Sequence, residues 1–300
     1  IMATAMLNAA GMKARYVGGS DDFEVGKLRE LRAFRKRMTK EHPGIGLIPK
    51  ETWEKVKLEF LDGLAGHPLQ ADIEDLLELY ETSSTGRHDL AEWNTFVREI
   101  RISDAVRPEK GVVMVSTMHK SKGKEFNNVF IHLEGHVLDT DEARRLLYVA
   151  CTRAMDSLEI HTNTHVLTDY QGPALERVVN ADEHSPPATI EYVLGMKEVY
   201  LGSCAYASER IKRLGTGDEL RPDTVQFSNN RAPGLGTPQG NVLLYSRKFV
   251  GGALGRFERN GYSVARGRVE YIVEWYDREK DKTYEVVLPR LSLQRSEAAN

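Results

Sequence analysis

One stretch, 111–161, constrains the fold more than any other, because short apolar runs there alternate with polar loops and one helix signal. Val112-Val113-Met114-Val115 breaks into a polar loop, Ser116 to Phe126, and Val129-Phe130-Ile131 follows at once. An amphipathic helix pattern then runs from Asp139 to Ala154, ahead of a third apolar run at Leu158-Glu159-Ile160. Short continuous apolar runs separated by an amphipathic helix are the signature of a buried parallel sheet. The pattern predicts strands at 112–116, 128–132 and 158–162 in one parallel sheet, with helix 141–154 packed on a face. Ligands of such sheets bind beyond the carboxyl ends of the strands. The loop His119-Lys120-Ser121-Lys122-Gly123-Lys124 lies at such an end, and it is small, flexible and cationic, hence suited to an anion.

Length bounds the rest: 300 residues predict two domains at about 100–200 residues each. A hydrophobic share of 41% with 28% charged residues describes a globular chain and excludes a disordered one. No apolar run approaches the ~18 residues of a membrane span, and no signal-peptide pattern opens the chain, so no membrane partner is expected. Two cysteines, Cys151 and Cys204, make neither a disulfide framework nor a zinc spacing, which points to a reducing, cytoplasmic compartment. Charge is uneven: residues 200–300 carry 16 Lys/Arg against 12 Asp/Glu, or +4, so the net −3 of the chain leaves −7 for residues 1–199. Neither a solvated surface nor a nucleic-acid face is selected by that difference alone.

In chain order, Ile1 to Gly11 predicts an alanine-rich helix closed by a glycine, and Lys13 to Val17 a short strand. From about 21 to 106 the pattern is helical and charged. Phe23, Val25, Leu28, Leu31 and Phe34 recur at helical spacing, then Trp53, Val56, Leu58, Phe60 and Leu61 less cleanly. Two more helices are expected around Ile73–Tyr80 and Trp93–Val97, and the aromatic residues of this block are assigned to its core. Residues 164–189 read as a linker with one short helix at 174–179. Beyond it, Val199-Tyr200-Leu201 and Val242 to Tyr245 are strand candidates, and 222–241 reads as a Pro/Gly-rich loop. A basic helix is expected from Ser246, its N-cap, to Arg259. Alternation at 268–276 and a turn before Thr283 predict a β-hairpin, ended by Pro289.

The spelling VSTMHKSKGKEF (115–126) resembles motif V, and EARRLLYVACTRA (142–154) motif VI, of UvrD/Rep-like superfamily 1 helicases. The KGKEF variant resembles the UvrD-like module at the end of some RecQ-type helicase fusions. The resemblance spans about residues 1–164 and is specific at the two motifs. It implies an α/β fold, a RecA-like parallel sheet of the P-loop NTPase kind forming a second motor domain. That domain would occupy 1–165 with a helical insertion at about 21–106, followed by a linker at 166–195 and a β-rich accessory domain at 196–293. It implies a longer protein, in which an N-terminal RecA-like half holds ATP and Mg2+. The 300 residues contain no GxxxxGK[ST] sequence, so they are not expected to hydrolyse ATP alone.

The resemblance also assigns residues. Arg153 matches the arginine that contacts the γ-phosphate, where a planar, permanently charged fork suits the charge that builds up during transfer. Glu125 matches the carboxylate that binds the ribose, and Gly123 the position that lets the backbone approach the nucleotide. Thr117 and His119 match DNA-contacting positions, and Lys120, Lys122 and Lys124 add phosphate-binding charge. Tyr148 and Thr152 orient the motif VI helix, or Tyr148 is a core aromatic. The implied function is an ATP-dependent helicase moving on single-stranded DNA and unwinding duplexes, in repair or recombination, nucleoid-associated if the source is bacterial. The alternative is a helicase-derived interaction module without an ATPase cycle. No metal is expected, although His132, His136, His161 and His165 form two i, i+4 pairs. Arg247, Lys248, Arg256 and Arg259 with Tyr245 and Phe249 form either a nucleic-acid surface or a solvated helix.

Overall fold

The computed structural model describes residues 1–18, 23–44, 46–84, 88–102, 111–133, 135, 138–165, 167–168, 172, 175–182, 184–227 and 230–296. Helix α1 (Met2–Ala9) and strand β1 (Ala14–Val17) open the chain. The expected helical block follows as α2 (Arg29–Glu41), α3 (Lys50–Asp62), α4 (Gln70–Ser83) and α5 (Leu90–Glu99). Two short strands, β2 (Leu47–Ile48) and β3 (His88–Asp89), pair antiparallel. The helices bury most of the apolar stripes their spacing defines, although Leu58 of α3 is 63% exposed, and the stripes meet in an aromatic cluster. The Phe34 ring lies 5.5 Å from Trp53, 5.1 Å from Phe60 and 5.3 Å from Trp93. These rings are buried, so they form core, as the sequence reading assigned them. Truncating any one would cost about 3–5 kcal/mol. Asp89 fixes the start of α5 by accepting from the Ala91 and Glu92 amides, which otherwise lack partners in a first turn.

The central stretch forms β4 (Val113–Ser116), β5 (Phe126–His132), α6 (Asp141–Cys151) and β6 (Ala154–His161). The three expected strands are present, each in a parallel pair, but they do not share one sheet. Strand β4 pairs with β1, while β5 pairs with β6, giving two separate two-stranded sheets. Apolar runs mark strands without choosing their partners, which is why the single RecA-like sheet drawn from them is not the arrangement observed. The β5–β6 pair also departs from a doubly covered sheet. One face packs on α6 through Ile131, Leu133, Leu147 and Ala150. The other leaves Phe130 62% exposed, beside the exposed Glu159 and His161. Helix α6 is shorter than the expected 141–154. It is capped by Thr140, whose hydroxyl accepts from the Ala143 amide, and it ends at Cys151.

The remainder forms β7 (Thr189–Val193), α7 (Cys204–Ile211), β8 (Glu219–Phe227), β9 (Asn230–Thr237) and β10 (Gly240–Leu244). A composite helix follows, α8 (Arg247–Phe249), a π-helical turn at Val250–Leu254 and α9 (Gly255–Arg259). The chain closes on a long hairpin, β11 (Tyr262–Asp277) and β12 (Lys282–Arg295). The six strands make one antiparallel sheet in the order β10-β9-β8-β11-β12-β7. Several expectations are corrected here. Residues 222–227, 230–237 and 240–241 are strand rather than loop, because their glycines serve close backbone approach. A Cβ on Gly234 would lie 2.0 Å from the Leu243 carbonyl oxygen of the neighbouring strand. Pro289 does not end its strand. It sits opposite Val269 beside a register shift at Val269/Tyr271, a bulge where a missing N–H is tolerated. Residues 199–201 make one bridge and a 3-10 turn, and the short helix expected at 174–179 is absent among the described residues.

The chain divides into two compact units, one of 1–13, 19–112 and 187–300, the other of 14–18 and 113–186. In chain order the helical block interrupts the parallel strands, as an insertion would. In space it belongs with the antiparallel sheet. Leu28 bridges to Val273, and the rings of Phe23 and Tyr271 lie 5.5 Å apart. Arg29 grips Glu285 with two nitrogens, at 3.0 and 2.5 Å, and also donates to the carbonyls of Ile211 and Leu214. Arg32 adds a bond to Glu285 at 2.5 Å. Burial would raise the Glu285 carboxyl, but hydrogen bonds and charge from the two arginines outweigh it and hold it below the usual range. Strand β7 likewise lies inside the region expected to be linker.

Candidate functional site

The site expected from the sequence is built on two short segments of the second unit. After β4, Thr117 turns the chain into a 3-10 helix at Met118–Ser121. The Lys120 amide returns to the Thr117 carbonyl at 3.0 Å, and the Ser121 hydroxyl donates to the Met118 carbonyl at 2.7 Å. Gly123 then adopts φ +80°, a left-handed value that side chains disfavour, and the Lys124 amide closes the turn on Ser121 at 3.1 Å. Glycine is therefore required here by the turn itself. Thr117, His119, Lys122 and Glu125 are exposed, while Lys120 and Lys124 are half-buried.

Arg153 lies just past the end of α6, not in its last turn, because the helix ends at Cys151 and β6 begins at Ala154. Its Nε donates to the Val149 carbonyl at 3.0 Å, closing the helix end. Its Nη1 donates to the Lys124 carbonyl at 3.2 Å, and its Nη2 to the Thr152 hydroxyl at 3.1 Å. The Phe126 amide donates back to the Arg153 carbonyl at 2.9 Å. One residue thus ties the carboxyl end of the helix to the loop carrying Gly123 and Glu125. A guanidinium has five N–H groups, so this use of three leaves one on each terminal nitrogen.

These contacts bind Arg153 to the residue between Gly123 and Glu125, while Thr117, His119 and Lys122 belong to the turn that precedes it. Tyr148 is not core: it is 70% exposed on the outward face of α6. The sequence reading missed the Lys124 carbonyl as the partner of Arg153. It also missed the cross-strand pairs that hold β5 to β6, Asn127 with Asp156, and Ser157 with Asn128 at 2.6 Å. Asn127 and Asn128 gave no signal, being two polar residues at the start of an apolar run. Of the histidines, His132 and His161 are register partners and His161 meets Glu159 at 3.5 Å, while His136 lies outside the described residues. Among the described residues no cluster of three or more His, Cys, Asp or Glu could hold a metal ion. Nor is any described helix long and apolar enough to cross a membrane.

Residues 112–159 match the family model of the UvrD-like helicase C-terminal domain. The match begins just before β4 and ends within β6, so it takes in the whole loop and Arg153. The match supports a UvrD-like helicase C-terminal module at these residues, which suggests a helicase-related function and an interaction with DNA. No curated protein matches the chain.

Proposed function

We propose that the chain is the C-terminal motor portion of an ATP-dependent DNA helicase, coupling ATP hydrolysis to translocation on single-stranded DNA and duplex unwinding in repair or recombination. The observation that carries this reading is the Arg153 tie, which joins the two segments resembling motifs V and VI through one guanidinium. The two parallel strand pairs lend it no support, since a complete RecA-like sheet would join them.

The residues present fit a nucleotide phosphate. Among the described residues, Arg153 has no partner for one N–H on each terminal nitrogen, and it is bonded to the loop that carries the exposed Glu125 and the Gly123 turn. When bound, ATP with Mg2+ would supply the phosphoryl group and would be held mainly by an N-terminal RecA-like half. Arg153 would place fixed positive charge at the γ-phosphate, while Glu125 would accept from the ribose. Thr117, His119, Lys120 and Lys122 would contact the DNA strand. Hydroxyl, imidazole and ammonium groups all donate to phosphate oxygens without reading a base.

The test is the steady-state ATPase rate with saturating single-stranded DNA, measured on the segment joined to its P-loop half. Arg153→Lys keeps the charge but loses the fork, so it should lower the rate at least roughly a hundredfold, as Arg153→Ala should. Near-wild-type turnover in a folded Arg153→Lys variant would show that Arg153 is only a helix-end charge, and a parent protein without DNA-stimulated turnover would refute the motor reading and leave an interaction module.

A further inference from the structure

The composite helix 247–259 is the feature of the first unit that the proposed function leaves unused. Arg247, Lys248, Arg256 and Arg259 are all exposed, and among the described residues none has an ion-pair or hydrogen-bond partner for its side chain. Several other cations of the same unit are paired within it. Arg29 and Arg32 bind Glu285, Lys57 binds Glu81, and Arg290 binds Glu270. The one acid on the composite helix is Glu258. Lys248, Arg256 and Arg259 recur at spacings that keep them on one side, over roughly 16 Å at about 1.5 Å per residue. Gly251 and Gly252 lie between them, and a side chain built there would meet nothing within 4 Å, so the surface is open to close approach. They sit in a π-helical turn, a feature that recurs at functional sites.

The aromatic residues decide what could bind. Tyr245 and Phe249 are buried, with their rings 5.2 Å apart, and burial pushes the Tyr245 phenol up. Phe257 packs edge-on against Tyr192 at 5.5 Å. None of Tyr245, Phe249 and Phe257, the described aromatic residues on or next to the helix itself, is exposed for a base to stack on. Single strands are held without sequence preference by charge plus such stacking. A surface that offers charge alone fits a backbone whose bases are already paired.

We propose that the exposed side of helix 247–259 binds the phosphate backbone of double-stranded DNA through Arg247, Lys248, Arg256 and Arg259. The binding is independent of sequence and distinct from the single-strand contacts assigned to the motif loop. The choice of DNA over RNA rests on the proposed function; the preference for a duplex rests on the helix alone.

The test compares the whole chain with the variant Arg247→Gln/Lys248→Gln/Arg256→Gln/Arg259→Gln. Fluorescence anisotropy is read on a labelled 20-base-pair DNA duplex, the matching RNA duplex and a single strand of equal length, over a salt series. Each lost phosphate contact should flatten the log–log salt slope by about 0.9, so the slope for duplex DNA should become shallower by about 3–4 for four contacts. Affinity at low salt should fall at least roughly tenfold, while single-strand binding changes less than threefold. His119→Ala with Lys122→Ala should show the opposite pattern. Because all four side chains are exposed, the variant should fold, and a thermal melt checks it. Unchanged duplex affinity and slope would overturn the proposal, as would an equal loss on single strands or tighter binding of the RNA duplex. A parent protein without DNA-stimulated ATPase activity beside the expected duplex result would remove the motor reading and leave this surface standing.

Discussion

Arg153→Ala should loosen the motif loop before it affects anything else. The truncation removes donors to the Val149 carbonyl at 3.0 Å and the Lys124 carbonyl at 3.2 Å, both in part-buried surroundings. At about 1 kcal/mol net for each bond, the loss is about 2 kcal/mol, a sum that discounts the charge because water replaces part of it. The third bond, to the exposed Thr152 hydroxyl, is given no weight. A free-energy loss of about 2 kcal/mol multiplies local opening by roughly 30. The readout is native-state hydrogen exchange at the amides of Lys124 and Phe126, which close the turn and bond the Arg153 carbonyl. Both should exchange roughly 30-fold faster, and Arg153→Lys, which can reach one carbonyl at a time, should fall between. Tryptophan fluorescence provides the contrast. Trp53, Trp93 and Trp275 all belong to the other unit, so its melt should not move. Unchanged exchange at both amides would show that the guanidinium holds nothing, and the tie would lose its structural meaning.

Glu285→Gln should destabilise the first unit by about 1–2 kcal/mol in a urea melt followed by Trp275. That is less than the ~3–5 kcal/mol of a fully buried pair, because Arg29, Arg32 and Glu285 stay about a quarter exposed. A variant as stable as the parent would make the cluster ornamental. The same carboxyl is held low in the folded state, so its contribution is complete above the unfolded value of about 4.3. It should disappear as pH falls through the lower folded value, and a melt series between pH 5 and pH 2 in which Glu285→Gln loses as much as the parent would refute this. Burial pushes the Cys204 thiol up to about 12, so at pH 8 it should react with a thiol reagent only as the unit unfolds. Modification in native buffer at the rate of a free thiol would contradict its placement.

Strand and helix positions in the central stretch were legible because periodicity carries them. Pairing was not, because an apolar run such as Val112 to Val115 says nothing about its neighbour, and β4 joins β1 rather than β5. The 222–241 region was hidden by its own composition: Gly234 and Gly236 read as loop residues, yet they let β10 approach β9. The loop residues of the candidate site were legible as a motif, and Gly123 has a local reason as well, its left-handed turn. The contact of Arg153 with Lys124 was not legible, since a main-chain carbonyl leaves no trace in residue identity. Tyr148 was open between surface and core, and only the placement of α6 puts it outside.

The grouping of the helical block with the antiparallel sheet was the least legible feature, and it changes how the chain works as a whole. Arg29 and Glu285 are 256 positions apart, so nothing local announces their bond. Each partner also lacks a substitute: without the hairpin, Leu28, Phe23 and two arginines would lose the groups they meet. The first unit therefore cannot be complete until the last strand exists, and its contacts are of the non-local kind that form late in folding. The motif-bearing strands belong to the other unit, residues 14–18 and 113–186, where β4 likewise finds its partner β1 about a hundred positions away. The loop that Arg153 ties is therefore built on non-local pairing as well, and only its own turn at Gly123 is local.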